Sequence, residues 1–324
     1  MKQKTYGFLL AFLFIFILGI YFSGCGKTEQ KSQTHRIKII TTLFPLYDFT
    51  KNLAKDRADV TLILPPGVEP HSFEPRAGDI LKINSAHMLI YTGKFMEPWV
   101  EDIIKGIDNK GLLIVDSSIG IKLLTHKFHT HQHQKEHGHV KYKKQVDMDA
   151  DPHIWLDLAN AQLMVDNILA GLVKKDPVNR DFYEKNAQEY KTKLMELDKR
   201  FSTNLASCKK RIIVHGGHFA FGYLARRYNL QYISAYKGSP DAEPTLRHVA
   251  HMKKIIKDND IKYIFFEELI MPRLAEVLAK ETGAEILMLH GCHNIARDEM
   301  NRGVTFISLM EKNLENLSKG LECP

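Results

Sequence analysis

Short apolar runs alternate with segments of helical period in the part of the chain that follows residue 36. The runs are rich in Ile, Val and Leu and carry few of the alternating polar positions of a half-exposed strand. Strands buried on both faces of a parallel sheet have this composition, and helices connect them. The pattern predicts strands at 37–41, 58–64, 87–91 and 111–115, with helices at 47–55, 77–86 and 98–107.

The same alternation returns in the second half, after two helical segments at 158–174 and about 180–207. In the longer segment the apolar residues from Tyr183 to Leu205 form one helical stripe, which at 1.5 Å per residue extends over roughly 40 Å. The second half predicts strands at 211–215, 230–234, 262–266 and 284–289, with helices at about 217–228, 244–258, 272–282 and 303–319.

These patterns predict an α/β protein of two β/α lobes, each with a roughly four-stranded parallel sheet, joined by one long backbone helix. The predicted division of the chain is a signal peptide at 1–24, a tether at 25–36, a first lobe at 37–175 with a His-rich loop at 117–150, a linker helix at 176–208 and a second lobe at 209–324.

The N-terminal segment predicts export and lipid attachment. Lys2 and Lys4 precede an apolar run that ends near residue 22, as in a secretory signal sequence. The sequence F-S-G-C at 22–25 resembles a bacterial lipobox, although Phe22 replaces the usual Leu, and predicts that Cys25 is lipidated. The alternative is an uncleaved N-terminal anchor. Either way, the rest of the chain lies on the extracytoplasmic face of the cell membrane.

Charge and cysteine content exclude two classes of protein. The net charge is +7, but residues 122–144 contribute +5 and the two N-terminal lysines contribute +2, so the remainder is neutral. No clustered basic face of the kind that binds phosphate is left, which excludes nucleic acid as a partner. Four cysteines do not make a disulfide scaffold, and the pairing of Cys208, Cys292 and Cys323 cannot be assigned.

A histidine-rich tract lies in the predicted loop at 117–150 of the first lobe. It holds six of the sixteen histidines within 126–139, together with lysines and no regular apolar period. Such a composition favours accessory metal binding, and the alternative is a solvated low-complexity loop. The candidate accessory ligands are His126, His129, His131, His133, His137 and His139.

Histidines also follow the predicted strands, where ligands of parallel sheets bind. His71 lies in the proline-stiffened loop after 58–64, His153 precedes a helix, and His218 follows 211–215. His290 and His293 follow the last predicted strand. Imidazoles presented by both lobes to a shared cleft would suit Zn²⁺, which takes three or four N, S or O ligands. Glu69, Asp151 or Asp157 could accept the second ring N–H of a ligand.

Several motifs of this chain resemble those of one protein family and occur in the same order as in that family. L-P-P-G-V-E-P-H-S-F-E-P (64–75), D-P-H-I-W-L-D (151–157) and H-G-G-H-F-A-F-G-Y (215–223) are similar to the zinc/manganese-binding lipoproteins of bacterial ABC importers, the cluster A-I solute-binding proteins. The resemblance implies that the protein buries a metal between two lobes and delivers it to an ABC transporter permease. It also implies His71, His153 and His218 as ligands. We expect the protein to be a monomer.

The fourth ligand varies in that family and is often a carboxylate. In this chain the corresponding loop is H-G-C-H-N, and its spacing favours His293. Glu268, His290 and Cys292 remain alternatives.

The ligand types favour zinc over manganese as the transported ion. Manganese sites use carboxylates, whereas this set is all imidazole; a manganese-binding homologue of the same type is the alternative. A zinc-dependent hydrolase is a less favoured alternative. The H-E-x-x-H motif is absent from the sequence, and four protein ligands would leave no coordination position for water or substrate. We therefore expect no enzymatic activity.

Deletion of the tract at 126–139 tests which histidines form the main site. We expect the mature protein to bind one Zn²⁺ tightly, and the deletion to remove only weaker additional equivalents in calorimetric titration. A tight site that disappears with the tract but survives in His71→Ala would contradict this assignment.

Overall fold

The computed structural model describes residues 36–125, 150–236 and 244–324. The predicted signal peptide, Cys25, most of the tether and the histidines at 126–139 lie outside the described residues. In the part of the chain that is described, no helix combines the length and apolar character needed to span a lipid bilayer.

The first lobe is built on a four-stranded parallel sheet with spatial order β2-β1-β3-β4. Its connections are helices, as expected for parallel neighbours. The strands are β1 (Ile37–Thr41), β2 (Ala58–Leu62), β3 (Met88–Tyr91) and β4 (Leu113–Asp116), and the helices are α1 (Phe44–Ala54), α2 (Ala77–Asn84) and α3 (Trp99–Gly106).

Two helices lead from the first lobe to the second. Helix α4 (Leu158–Lys175) begins at Asp157, whose carboxylate accepts a hydrogen bond from the backbone N of Ala159 and so caps the first turn. A short 3₁₀ turn, Pro177–Asn179, separates it from α5 (Arg180–Ala206), the predicted linker helix.

The second lobe repeats the arrangement, with spatial order β6-β5-β7-β8. Its strands are β5 (Ile212–His215), β6 (Gln231–Ser234), β7 (Tyr263–Phe266) and β8 (Glu285–Met288). Its helices are α6 (Gly222–Arg227), α7 (Leu246–Asp258), α8 (Arg273–Thr282), α9 (Arg297–Asn301) and α10 (Phe306–Gly320). The predicted fold class is confirmed, and α9 is a short helix that the sequence patterns did not indicate.

Helix α5 is fixed to both lobes by its buried stripe. Tyr183, Leu194 and Phe201 on this stripe are fully buried in a core that also contains residues of both sheets. A hydrogen bond adds to this packing: the Tyr190 hydroxyl of α5 donates to Asp48 Oδ2 of α1 at 2.8 Å. The helix is therefore part of the core and not an exposed spacer.

A disulfide joins Cys208, just after α5, to Cys323 near the C-terminus. Backbone hydrogen bonds beside it, from Lys209 and Lys210 to the carbonyls of Glu322 and Leu321, hold the same two segments together. Among the cysteines of the described residues, Cys292 is free and buried.

Truncation on the buried stripe of α5 should destabilise the protein strongly. We expect Leu194→Ala to lower the free energy of unfolding by about 2–5 kcal/mol, because it leaves a cavity beneath the linker helix. Met195→Ala is the matched control, since Met195 is 45% exposed and its loss should cost less than about 0.5 kcal/mol. Urea unfolding with a metal chelator present measures both, and equal losses would contradict the packing described.

Candidate metal centre

Four histidines from separate loops meet between the two lobes. The group consists of His71, His153, His218 and His293, and we call it the four-histidine cluster. One nitrogen of each ring lies within 4.8 Å of a nitrogen of every other ring. His153 Nε2 lies 3.1 Å from the Nε2 atoms of both His71 and His218. Nitrogens on a tetrahedral Zn²⁺ at about 2.0–2.1 Å would be about 3.3 Å apart, so these spacings fit such an ion.

His71 lies in the loop between β2 and α2. Gly67 has a φ of +82°, in the region that glycine adopts without strain, and its N–H donates to the carbonyl of Ile295 at 2.9 Å. The Glu69 carboxylate accepts from the backbone N of Ser72 at 3.0 Å, so it supports the loop and does not pair with His71. His71 is the most exposed of the four rings.

His153 is oriented by Asp151, two residues before it. Asp151 Oδ1 lies 2.8 Å from His153 Nδ1 and 3.0 Å from the backbone N of His153. With Nδ1–H donating to the carboxylate, Nε2 keeps its lone pair for the cluster. Asp157, the other acid that could have supported the ring, caps α4 and pairs with Arg227 at 3.0 Å.

His218 follows β5 through two glycines and is supported by Glu267. The Glu267 carboxylate accepts from the backbone N of His218 at 3.0 Å and also contacts its Nδ1. The approach requires Gly217, because a Cβ at this position would collide with Glu267 and lie 2.7 Å from His215 Cε1. His215 itself is buried beneath the site, with Nδ1 3.1 Å from the Tyr232 hydroxyl.

His293 follows β8 and is supported by Glu268. His293 Nδ1 lies 3.0 Å from Glu268 Oε1, and its Nε2 is buried with no hydrogen-bond partner within the described residues. A Cβ on Gly291 would lie 2.5 Å from His293 Cε1, so glycine is needed for the ring to take this position.

The three alternatives for the fourth position do not enter the cluster. Glu268 lies on the far side of His293. His290 Nδ1 accepts from the backbone N of Cys292 at 2.9 Å, and the Cys292 thiol faces the carbonyl of His290 at 3.5 Å. Burial and the negative charge of Glu268 hold the pKa of Cys292 well above its usual range, which disfavours a thiolate.

Hydrogen bonds between the lobes fix the cluster. Asn294, fully buried, donates from its side chain to the carbonyls of Pro65 and Val68, both at 2.8 Å, and so joins the His293 loop to the His71 loop. Trp155 Nε1 donates to the carbonyl of Gly291 at 2.7 Å. Sequence reasoning missed the role of Asn294, for which the only signal was its position beside H-G-C-H.

Electrostatics divide the cluster into neutral and charged positions. Burial, aided by neighbouring imidazoles, lowers the pKa of His71 to about 3 and that of His153 well below its usual value. Burial also acts to lower the pKa of His293, but the charge and hydrogen bond of Glu268 outweigh it and raise that pKa. Burial raises the pKa of Asp151 to about 8. The rings of His71 and His153 are thus neutral near neutral pH, whereas His293 binds a proton more readily than a free imidazole does.

Comparison with known proteins agrees with this architecture. Residues 39–320 match the family described as zinc-uptake complex component A, periplasmic. The high-affinity zinc uptake system protein ZnuA of Bacillus subtilis is 35% identical over 319 residues, 97% of this chain and 96% of that protein.

Two streptococcal proteins extend the comparison. The zinc-binding protein AdcA of Streptococcus pyogenes is 35% identical over 310 residues, which are 94% of this chain but only 60% of that protein. The Zn(II)-bound ZnuA-like domain of Streptococcus pneumoniae AdcA is 33% identical, with a TM-score of 0.74, and the match covers 89% of this chain and 99% of that domain. The resemblance found in the sequence motifs is confirmed, and the chain belongs to the ZnuA family of periplasmic zinc-uptake components.

Proposed function

We propose that this chain captures Zn²⁺ in the four-histidine cluster and delivers it to an ABC transporter permease. The main support for the proposal is that His153 Nε2 lies 3.1 Å from the Nε2 atoms of both His71 and His218. In His153 and His218, Nδ1 is paired with a carboxylate, so their Nε2 lone pairs face each other. Such an arrangement is favourable when a cation lies between them.

The donor set supports zinc as the cargo. Four neutral imidazoles suit Zn²⁺, whereas manganese sites use oxygen ligands. Three carboxylates lie behind the rings and would balance the charge of the ion without contacting it. Family membership and the zinc-bound relative support the same cargo.

The geometry supports binding and not catalysis. A catalytic zinc keeps one position for water or substrate and a general base beside it. Here four ring nitrogens lie within 4.8 Å of one another, enough to fill a four-coordinate sphere, and Asp151, Glu267 and Glu268 are all engaged with ring nitrogens. A transport role needs only capture and release.

The location follows from the predicted division of the chain. Lipidation of Cys25 after removal of residues 1–24 would attach a monomer to the extracytoplasmic face of the membrane, next to its permease. Residues 25–36 would act as the tether, with lobes at 37–175 and 209–324 and the linker at 176–208. The tract at 126–139 would gather ions as an accessory.

Zinc uptake by cells tests the function directly. In a host that lacks its own zinc-binding component, we expect the wild-type chain and the cognate permease to restore accumulation of radioactive zinc. His153→Ala should reduce uptake to background because it removes one of the fully buried ligands. His251→Ala, an exposed histidine on α7, is the matched control. Equal uptake by wild type and His153→Ala would contradict the proposal.

Proton release tests the electrostatics of the site. At about pH 6 we expect the protons released on zinc binding to include one from His293 and one from Asp151, because the pKa of His293 is raised and that of Asp151 is raised to about 8. His71 and His153 are already neutral and should release none. Affinity should therefore fall as the pH falls.

Calorimetry in buffers of different ionisation enthalpy counts these protons. Asp151→Asn should reduce the number by about one, since the amide has no proton to lose in this range. Heats that do not depend on the buffer would contradict the assignment.

A further inference from the structure

One carboxylate beside the cluster, Glu268, is close to the ligand positions without reaching them. It is the second residue after β7, and only 6% of its side chain is exposed. Its Oε1 lies 3.0 Å from His293 Nδ1, and its Oε2 accepts from the backbone N of Gly291 at 2.6 Å. Both oxygens are therefore engaged on the outer side of the His293 ring.

The His293 ring is what separates this carboxylate from the ligand nitrogens. Cys292, just before it, has a φ of +60°, a left-handed conformation that is uncommon for cysteine. Together with the close approach at Gly291, this turn places the ring between Glu268 and the other three histidines. The ring presents one nitrogen to the carboxylate and the other to the cluster.

The consequence concerns which metal the site accepts. Among the described residues, the group that could hold an ion consists of four histidines and no carboxylate. A sphere of nitrogens alone favours zinc, whereas a carboxylate oxygen in the sphere makes manganese more acceptable. Whether the coordination sphere is all nitrogen or includes an oxygen depends on which side of the His293 ring the Glu268 oxygens occupy.

We infer that Glu268 is a latent ligand, and that the Glu268–His293 pair sets the preference for zinc by holding this carboxylate outside the coordination sphere. This inference rests on the proposed function. When the His293 ring is present, Glu268 positions it and places a negative charge on the side of the ring away from the other three histidines. When the ring is removed, the space it leaves opens towards the other three ligands, and the carboxylate can turn into the fourth position.

Four variants separate these two roles. They are His293→Ala, Glu268→Gln, the double variant, and Glu285→Gln as the matched control on β8, where the side chain is 71% exposed. Competition titrations give the dissociation constants for Zn²⁺ and Mn²⁺. The absorption spectrum with Co²⁺ reports whether an oxygen has replaced a nitrogen ligand.

We expect His293→Ala to bind zinc about 10–100-fold more weakly and manganese no more weakly, so that the preference for zinc narrows at least about tenfold. Its Co²⁺ spectrum should change to that of a mixed nitrogen and oxygen sphere. The double variant should lose that spectrum and bind both metals more weakly than His293→Ala does. Glu268→Gln alone should weaken zinc binding about 10–100-fold without improving manganese binding. Glu285→Gln should match the wild type.

A metal preference and a Co²⁺ spectrum that are the same in His293→Ala and in the double variant would overturn the inference. Failure of the wild-type chain to bind zinc tightly would instead contradict the proposed function, and the same titration distinguishes the two. Thermal melting checks folding. If His293→Ala does not fold, His293→Ser leaves similar room for Glu268 and is compared with its own Glu268→Gln double variant.

Discussion

The structure depends on pairing each buried imidazole with a carboxylate on its outer side. Burying a divalent ion among neutral rings is costly unless negative charge lies nearby. Asp151, Glu267 and Glu268 provide that charge one hydrogen bond away from His153, His218 and His293. The same bonds select the tautomer that leaves Nε2 free, so orientation and charge balance come from one contact. His71 has no such carboxylate within the described residues, and it is the most exposed ring.

The pairing also limits how the two lobes can move. His71 and His153 belong to the first lobe, and His218 and His293 belong to the second, so an intact cluster holds the lobes together. The hydrogen bonds of Trp155 and Asn294 cross the same boundary, and the core formed by α5 continues into both sheets. A wide hinge opening would break all of these contacts. Entry and exit of the ion are therefore expected to involve the ligand loops and not whole lobes.

The sequence indicated the histidines of the cluster better than the carboxylates that support them. The convergence of the carboxyl ends of parallel strands indicated His71, His218 and His293 as neighbours, whereas His153 follows the insertion, and the resemblance of D-P-H-I-W-L-D to the family implied it as a ligand. Of the three outer carboxylates, only Asp151 was among the acids predicted to support a ring, because sequence distance does not show which side of a ring an acid approaches. Asp157 and Glu69 were plausible partners, but local backbone N–H groups engage both carboxylates. The disulfide joins cysteines 115 residues apart, and three candidates gave no basis for choosing a pair.

The cluster and the tract at 126–139 differ in more than their number of histidines. The tract has six histidines, one acid (Glu136) and no proline. The cluster has four histidines, three carboxylates on their outer sides, and prolines before His71 and His153 that restrict φ. Free imidazoles can each bind an ion weakly, but holding four nitrogens about 3.3 Å apart requires that every ring be fixed before the ion arrives. The acids and the stiff loops distinguish the predicted tight site from the accessory one.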